Sequence, residues 1–61
     1  MEQDQYIKYA IRINNECINI IYDNLNHDVI VNNKRVSIMS QDKLENALST
    51  LKILGIDAGR I

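Results

Sequence analysis

Polar side chains recur at helical spacing through residues 6–26 and leave the rest of that segment almost entirely apolar. On a wheel of about 3.6 residues per turn they share one narrow arc, which holds Lys8, Arg12, Asn15, Glu16, Asn19, Asp23 and Asn26. An ordinary surface helix carries an apolar stripe a little over ~100° wide, and this one is roughly twice as wide. The pattern predicts a helix over residues 4–25 that needs two surfaces to pack against.

A strand over Tyr6–Ile13 is the competing interpretation of the same segment. Isoleucine and tyrosine alternate there with polar or small residues, and β-branched isoleucine favours strands. The alternation ends after Ile13, whereas the helical phase persists for about five turns. We therefore expect the helix, with Asp4 as its N-cap and Glu2 near the positive end of its dipole.

A β-hairpin is predicted over residues 29–39. Two runs rich in β-branched residues flank Asn32–Arg35, and asparagine tolerates the left-handed backbone of tight turns. Pairing Val31 with Val36 would place both valines on one sheet face with Ile38. A two-stranded hairpin alone is marginal in water, so it must pack on the helices or on a partner.

A second helix is predicted over residues 41–54. Ser40 is a suitable N-cap, and Gly55 suits the left-handed position that ends many helices. One narrow stripe of the helix is apolar and consists of Leu44, Ala47, Leu48, Leu51 and Leu54. Residues 57–61 are expected to form a frayed tail.

These elements give a single small α+β domain over residues 1–61, in the order helix, hairpin, helix (αββα). A chain of 61 residues buries only about 60% of the surface its unfolded form exposes. Its one cysteine cannot form an internal disulfide, and no cysteine–histidine cluster suggests zinc. We expect a homodimer or a complex with another protein. The expected interface residues are Tyr6, Tyr9, Ile13, Ile20 and Tyr22.

Composition narrows the environment and the partners. The formal net charge is −1, which argues against nucleic acid, because duplex affinity rests on many Lys and Arg contacts to phosphate. No stretch approaches the ~20 apolar residues of a membrane span. The acidic N-terminus does not resemble a signal peptide, and a lone thiol fits the cytoplasm. Frequent Ile and Asn suggest a low-GC bacterium or a phage.

Three short features invite a chemical interpretation. Cys17 lies within the apolar arc of the predicted helix, so we expect a buried, inert thiol. His27 lies in a predicted turn, Asn24–Asp28, without a nucleophile or third metal ligand at a useful spacing. Lys34 and Arg35 form a basic hairpin tip that could enter a DNA groove, although charged tips also discourage edge pairing.

The sequence therefore predicts a cytoplasmic, non-enzymatic interaction protein that binds another protein as a homo-oligomer. No phosphate loop, nucleotide fingerprint or metal motif is present, so no cofactor or metal is expected. The alternative is a small dimeric DNA-binding transcriptional regulator that uses Lys34 and Arg35.

Overall fold

In the computed structural model, which describes residues 5–61, five antiparallel strands form one sheet and one helix covers one face of it. The elements are β1 Tyr6–Ile13, β2 Glu16–Asp23, β3 Asp28–Val31, β4 Lys34–Ile38, α1 Gln41–Ile53 and β5 Asp57–Arg60. Across the sheet the order is β4-β3-β2-β1-β5. The predicted helix–hairpin–helix fold is therefore wrong, because the chain forms a four-stranded meander, a crossover helix and a last strand.

The predicted helix over residues 4–25 is replaced by β1 and β2, which form a hairpin with Tyr9 opposite Ile20. Asn14 and Asn15 join the strands, with φ angles of 50° and 68°. Both residues are left-handed, as a two-residue type I′ turn requires. The predicted N-cap, Asp4, and Glu2 lie outside the described residues.

The two-residue turn also explains why the sequence of residues 6–26 resembles that of a helix. Inward side chains occupy odd positions in β1, such as Tyr9, and even positions in β2, such as Ile20. The turn therefore shifts the alternation by one residue. Each strand alternates inward and outward side chains, and the two alternations are offset by one residue. Together, over the whole segment, they resemble the polar and apolar pattern of one helix.

A second two-residue turn joins β3 and β4, where a hairpin was predicted. Asn32 and Asn33 have φ angles of 51° and 67°. The predicted pairing of Val31 with Val36 is wrong, because the tighter turn places Val31 opposite Lys34. A bulge follows in β4, and Val36 is left exposed.

The turn predicted at Asn24–Asp28 is present between β2 and β3 and is organised by the buried carboxylate of Asp23. Its oxygens accept the backbone N–H of Leu25 (3.0 Å) and the side-chain amide of Asn26 (2.9 Å). The backbone N–H of Asn26 and the side-chain amide of Gln5 add two more bonds. These bonds, led by the one from the Asn26 side chain, lower the pKa of Asp23 against the opposing effect of its burial.

The second predicted helix is confirmed as α1, with both predicted caps. The hydroxyl oxygen of Ser40 accepts the backbone N–H of Lys43 at 3.3 Å. Gly55 has a φ of 93°, and the N–H of Ile56 reaches back to the carbonyl of Leu51 at 2.9 Å. This is a Schellman ending, which turns the chain back toward the sheet.

The predicted frayed tail is instead β5, which lies antiparallel to β1. Ala58 pairs with Ile11 and is 2% exposed, facing α1. Residues 57–60 have low intrinsic strand propensity, but the unpaired side of β1 offers hydrogen bonds and α1 offers an apolar surface. Tertiary context overrides propensity here.

The core lies between the sheet and α1. Tyr9 and Tyr22 are its largest fully buried side chains, and Leu44 and Leu48 of α1 pack against them with the inward residues of β1, β2 and β3. The dimer prediction rests on a single helix that is too apolar for one subunit to cover. That reason does not apply to two strands whose inward side chains α1 covers.

The other side of the sheet, the open face, carries mostly polar side chains, among them Lys8, Arg12 and Asn19, around half-buried Ile21 and Ile30. Within residues 5–61, no helix is long and apolar enough to cross a membrane.

Candidate functional site

The sheet has two edges, β4 and β5, and they differ in how well they are protected against pairing with another chain. β4 contains a bulge and begins with Lys34 and Arg35. A bulge interrupts the regular ladder and is a common device that blocks strand addition. β5 pairs with β1 in an unbroken register over its four residues. The less protected edge is therefore that of β5.

The backbone of β5 directs hydrogen-bonding groups away from β1 at two positions, at the exposed Arg60 and at Ala58, which neighbouring groups cover to 2% exposure. The N–H of Ile61 donates to the carbonyl of Lys8 at 3.1 Å. In an antiparallel pair, backbone groups alternate between pointing toward the neighbour and away from it. Gly59 therefore points its groups toward β1, as Ile61 does, while Ala58 and Arg60 point theirs away. We call these outward groups of Ala58 and Arg60 the free edge of β5.

A surface hollow flanks this edge on each face of the sheet. The helix-side hollow, about 330 Å³, lies between β5 and α1 and is lined by Tyr9, Glu45, Leu48, Ser49, Lys52, Ala58, Gly59 and Arg60. The open-side hollow, about 320 Å³, is lined by Ala10, Arg12, Lys52, Asp57, Ala58, Gly59, Arg60 and Ile61. Side chains of an added strand would project alternately to the two faces, and so into the two hollows.

The helix-side hollow contains an ionised carboxylate, that of Glu45. It accepts hydrogen bonds from the hydroxyl of Tyr9 at 2.8 Å and the amide of Gln41 at 3.1 Å. These bonds, the one from Tyr9 foremost, lower the pKa of Glu45, while burial raises the pKa of Tyr9. Glu45 is thus a fixed negative charge, and Tyr9 is a neutral donor that holds it in place.

Lys52 crosses the free edge. It belongs to α1, on the helix side, yet its Nζ lies 3.8 Å from where a Cβ on Gly59 would be. Gly59 pairs with Ala10, which lies on the open face. The Lys52 side chain lines both hollows and passes from one to the other across β5, with its ammonium within van der Waals reach of the Cβ position of Gly59.

Among residues 5–61, the one ion pair joins Arg35 to Asp28, with Nη1 and Oδ2 3.5 Å apart. It lies at the β4 side of the sheet. Lys52 therefore crosses the edge of β5 without an ion-pair partner in the described part of the chain. Arg12 and Arg60 add two further cations to the hollows, against the carboxylates of Asp57 and Glu45.

The residues predicted to form a protein interface do not share a surface. Tyr9, Ile20 and Tyr22 are buried in the core, whereas Tyr6 is 53% and Ile13 38% exposed. Tyr6 and Ile13 lie at opposite ends of β1, on opposite faces of the strand. In this fold the three buried residues are unavailable to a partner.

Lys34 and Arg35, the predicted nucleic-acid contacts, lie at the start of β4, at the edge of the sheet opposite β5. Both are exposed. Arg35 is engaged with Asp28, so the basic tip is smaller than the sequence suggested.

The prediction of a buried thiol is wrong, because Cys17 is exposed. It lies on the open face near the Asn14–Asn15 turn, opposite Arg12. His27 lies in the predicted turn, with a φ of 59°, beyond the other end of β2. The strand between them separates Cys17 and His27 by roughly 20 Å at about 3.3 Å per residue, so they cannot act together.

His27 is tied to the core by a tyrosine. The hydroxyl of Tyr22 donates to the carbonyl of Met39 at 2.9 Å, and Nδ1 of His27 lies 2.9 Å from the hydroxyl oxygen of Tyr22. Since the hydroxyl has one proton, His27 donates through Nδ1. No group of three His, Cys, Asp or Glu side chains in residues 5–61 is arranged to hold a metal ion.

Sequence reasoning missed the candidate site because it missed β5. Gly59 and Lys52 are separated by a helix end and a turn in the sequence, and only the return of β5 along β1 brings them together. No family model, curated protein or solved structure matches this chain. The geometry of the edge is therefore the guide to function.

Proposed function

We propose that this protein is a non-enzymatic binding module that takes up an extended segment of another protein as a sixth strand on the free edge of β5. In this mode of recognition, main-chain hydrogen bonds supply affinity and alternate side chains supply specificity through pockets on either face. The observation that carries the proposal is the edge of β5 itself, which lacks a bulge and is flanked by a hollow on each face.

The bonding geometry defines the expected docking. Ala58 and Arg60 each offer one outward N–H and one outward carbonyl, and an antiparallel partner strand would pair with all four groups. The partner residue opposite Gly59 falls between these hydrogen-bonded pairs. Its side chain points to the open face, as the position of Gly59 does, and enters the open-side hollow.

The proposal keeps the protein-binding function predicted from the sequence but changes the surface. Aromatic side chains on a helix were expected to make the contacts, whereas the proposed contacts are largely main chain. Self-pairing through this edge is disfavoured by like charge. Two copies related by a two-fold axis would bring Lys52 and Arg60 of one chain against the same residues of the other.

The test uses peptides of about seven residues, a usual strand length, with alternating threonine and valine and one variable central residue. NMR titration follows the backbone amides. Bound peptide should shift the amides of Ala58 and Arg60, because both N–H groups gain acceptors, and it should slow the exchange of the exposed Arg60 amide with solvent. Amides of β4 provide the control edge and should not change.

Arg60→Pro and Arg60→Ala form a matched pair of variants. Both remove the same charge, but only proline removes the outward N–H, and proline is tolerated at an edge when its N–H faces solvent. Peptide binding should weaken more in Arg60→Pro than in Arg60→Ala. Equal binding by the two variants, or wild-type peptide shifts confined to β4, would overturn the proposal. The amide exchange of the wild type decides the matter if Arg60→Pro does not fold.

A further inference from the structure

We infer that the partner strand carries a carboxylate side chain at the position opposite Gly59, and that Lys52 is the residue that recognises it. This inference rests on the proposed function and names the chemistry of its ligand. The carrying observation is the position of Lys52 Nζ, 3.8 Å from the Cβ that Gly59 lacks.

A partner strand that pairs with β5 must contact Lys52. The side chain crosses the edge at the centre of β5, where the partner backbone must pass to reach the outward groups of Ala58 and Arg60. The ammonium must then move aside into one of the hollows or be covered. Covering a charge without an opposite charge or a hydrogen-bond acceptor is costly, so a partner with a carboxylate at this position is favoured over one with an apolar side chain.

The space for that carboxylate is on the open side. Residues opposite each other at a position without ladder hydrogen bonds approach to about 4.5 Å between Cα atoms. Gly59 has no side chain to fill this gap, and the open-side hollow next to it is lined by Arg12, Lys52 and Arg60 against one carboxylate, that of Asp57. The whole chain has a net charge of −1, so the positive balance is a local property of the edge.

The alternative role of Lys52 is that of a guard that keeps strands away, which is a common use of lysine at sheet edges. The two roles give opposite results when the charge is removed. If Lys52 recruits a carboxylate, its removal weakens peptide binding. If Lys52 only guards the edge, its removal exposes β5 and promotes binding or self-association.

The experiment compares central glutamate and central glutamine in the threonine–valine peptide, which differ in charge and hardly in shape. Wild-type protein should bind the glutamate peptide about fivefold more tightly, the gain expected of an exposed ion pair near the top of its usual range. Lys52→Gln should remove this preference. Lys52→Glu should reverse it, so that a peptide with central lysine becomes the better ligand. Lys43→Gln, on the same helix, is the matched control and should keep the glutamate preference.

Four outcomes would contradict the inference; the first two leave strand addition standing, whereas the last two also overturn the proposed function. If the glutamate and glutamine peptides bind equally well and Arg60→Pro still weakens binding, strand addition stands but the partner needs no carboxylate. If Lys52→Gln binds the peptide more tightly or forms dimers, the role of Lys52 is to keep strands away from the edge. Binding of a single-stranded oligonucleotide that competes with the peptide and depends on Lys52 replaces the protein partner with nucleic acid. Absence of any effect at Ala58 and Arg60 removes the proposed function itself.

Discussion

The same substitution, asparagine to alanine, should have opposite effects at Asn15 and at Asn46. Asn15 has a φ of 68° in the β1–β2 turn, whereas Asn46 is an exposed residue inside α1. A left-handed backbone costs an ordinary L-residue roughly 1–2 kcal/mol, and asparagine escapes part of this cost through local hydrogen bonds. Alanine has no such compensation.

We expect Asn15→Ala to destabilise the protein by about 1 kcal/mol, which lowers the melting temperature of a domain of this size by about 4–8 °C. Asn33→Ala, at φ 67° in the other turn, should cost a similar amount. Asn46→Ala should instead stabilise by a few tenths of a kcal/mol, since alanine is the better helix former. Asn15→Gly should not lower the melting temperature, because glycine suits a type I′ turn.

Thermal melts followed by circular dichroism, with urea titrations as a second measure, would test these signs. The comparison also decides between strands and the helix that the sequence suggested for residues 4–25. In that helix Asn15 would be an interior residue, and alanine would raise the melting temperature as it does at Asn46. A higher melting temperature for Asn15→Ala would refute the turn and with it the β1–β2 hairpin.

Three further outcomes follow from the structure. Leu48→Ala should cost about 2–5 kcal/mol by leaving a cavity in the core, and an unchanged urea midpoint would remove Leu48 from it. Side-chain hydrogen bonds lower the pKa values of Asp23 and Glu45. The ionised carboxylates therefore stabilise the fold above the unfolded-state pKa values, and this contribution is lost as the pH falls. The free energy of unfolding should decline below about pH 5, and the decline should be shallower in Asp23→Asn. Cys17 should react with a thiol reagent at nearly the same rate in native protein and in urea, and strong native protection would contradict its exposure.

The elements that were predicted correctly have local causes. The ends of α1 are determined by Ser40 and Gly55, and its inward side by Leu44 and Leu48, all within one stretch of chain. The hairpin of β3 and β4 likewise follows from β-branched residues around Asn32. Such signals can be recognised without knowing what packs against them.

The prediction for the first 25 residues was wrong because the signal that decides it, a two-residue turn, is short. Asn14 and Asn15 are two polar residues in a long apolar pattern, and without a glycine they did not indicate a turn. The pair Asn32–Asn33, which occupies an equivalent turn with nearly the same φ angles, carries the same dipeptide. A repeated Asn-Asn dipeptide between runs of β-branched residues is the signal that could have identified both hairpins.

The candidate site could not be predicted from the sequence, because it depends on a strand that forms only in its tertiary context. Residues 57–60 have little strand propensity of their own. They become β5 only because β1 pairs with one side of this segment and α1 packs on one face of it. A strand held this way keeps its other side unpaired, since the chain supplies no further strand in its described part. Glycine and alanine, which weaken the prediction of a strand, also add no bulky side chain of their own to the edge. Lys52, which resembles any exposed helix lysine in the sequence, gains its position from the same return of the chain. The low strand propensity and the small side chains that weaken the prediction of β5 therefore also shape the edge at which we propose that another strand binds.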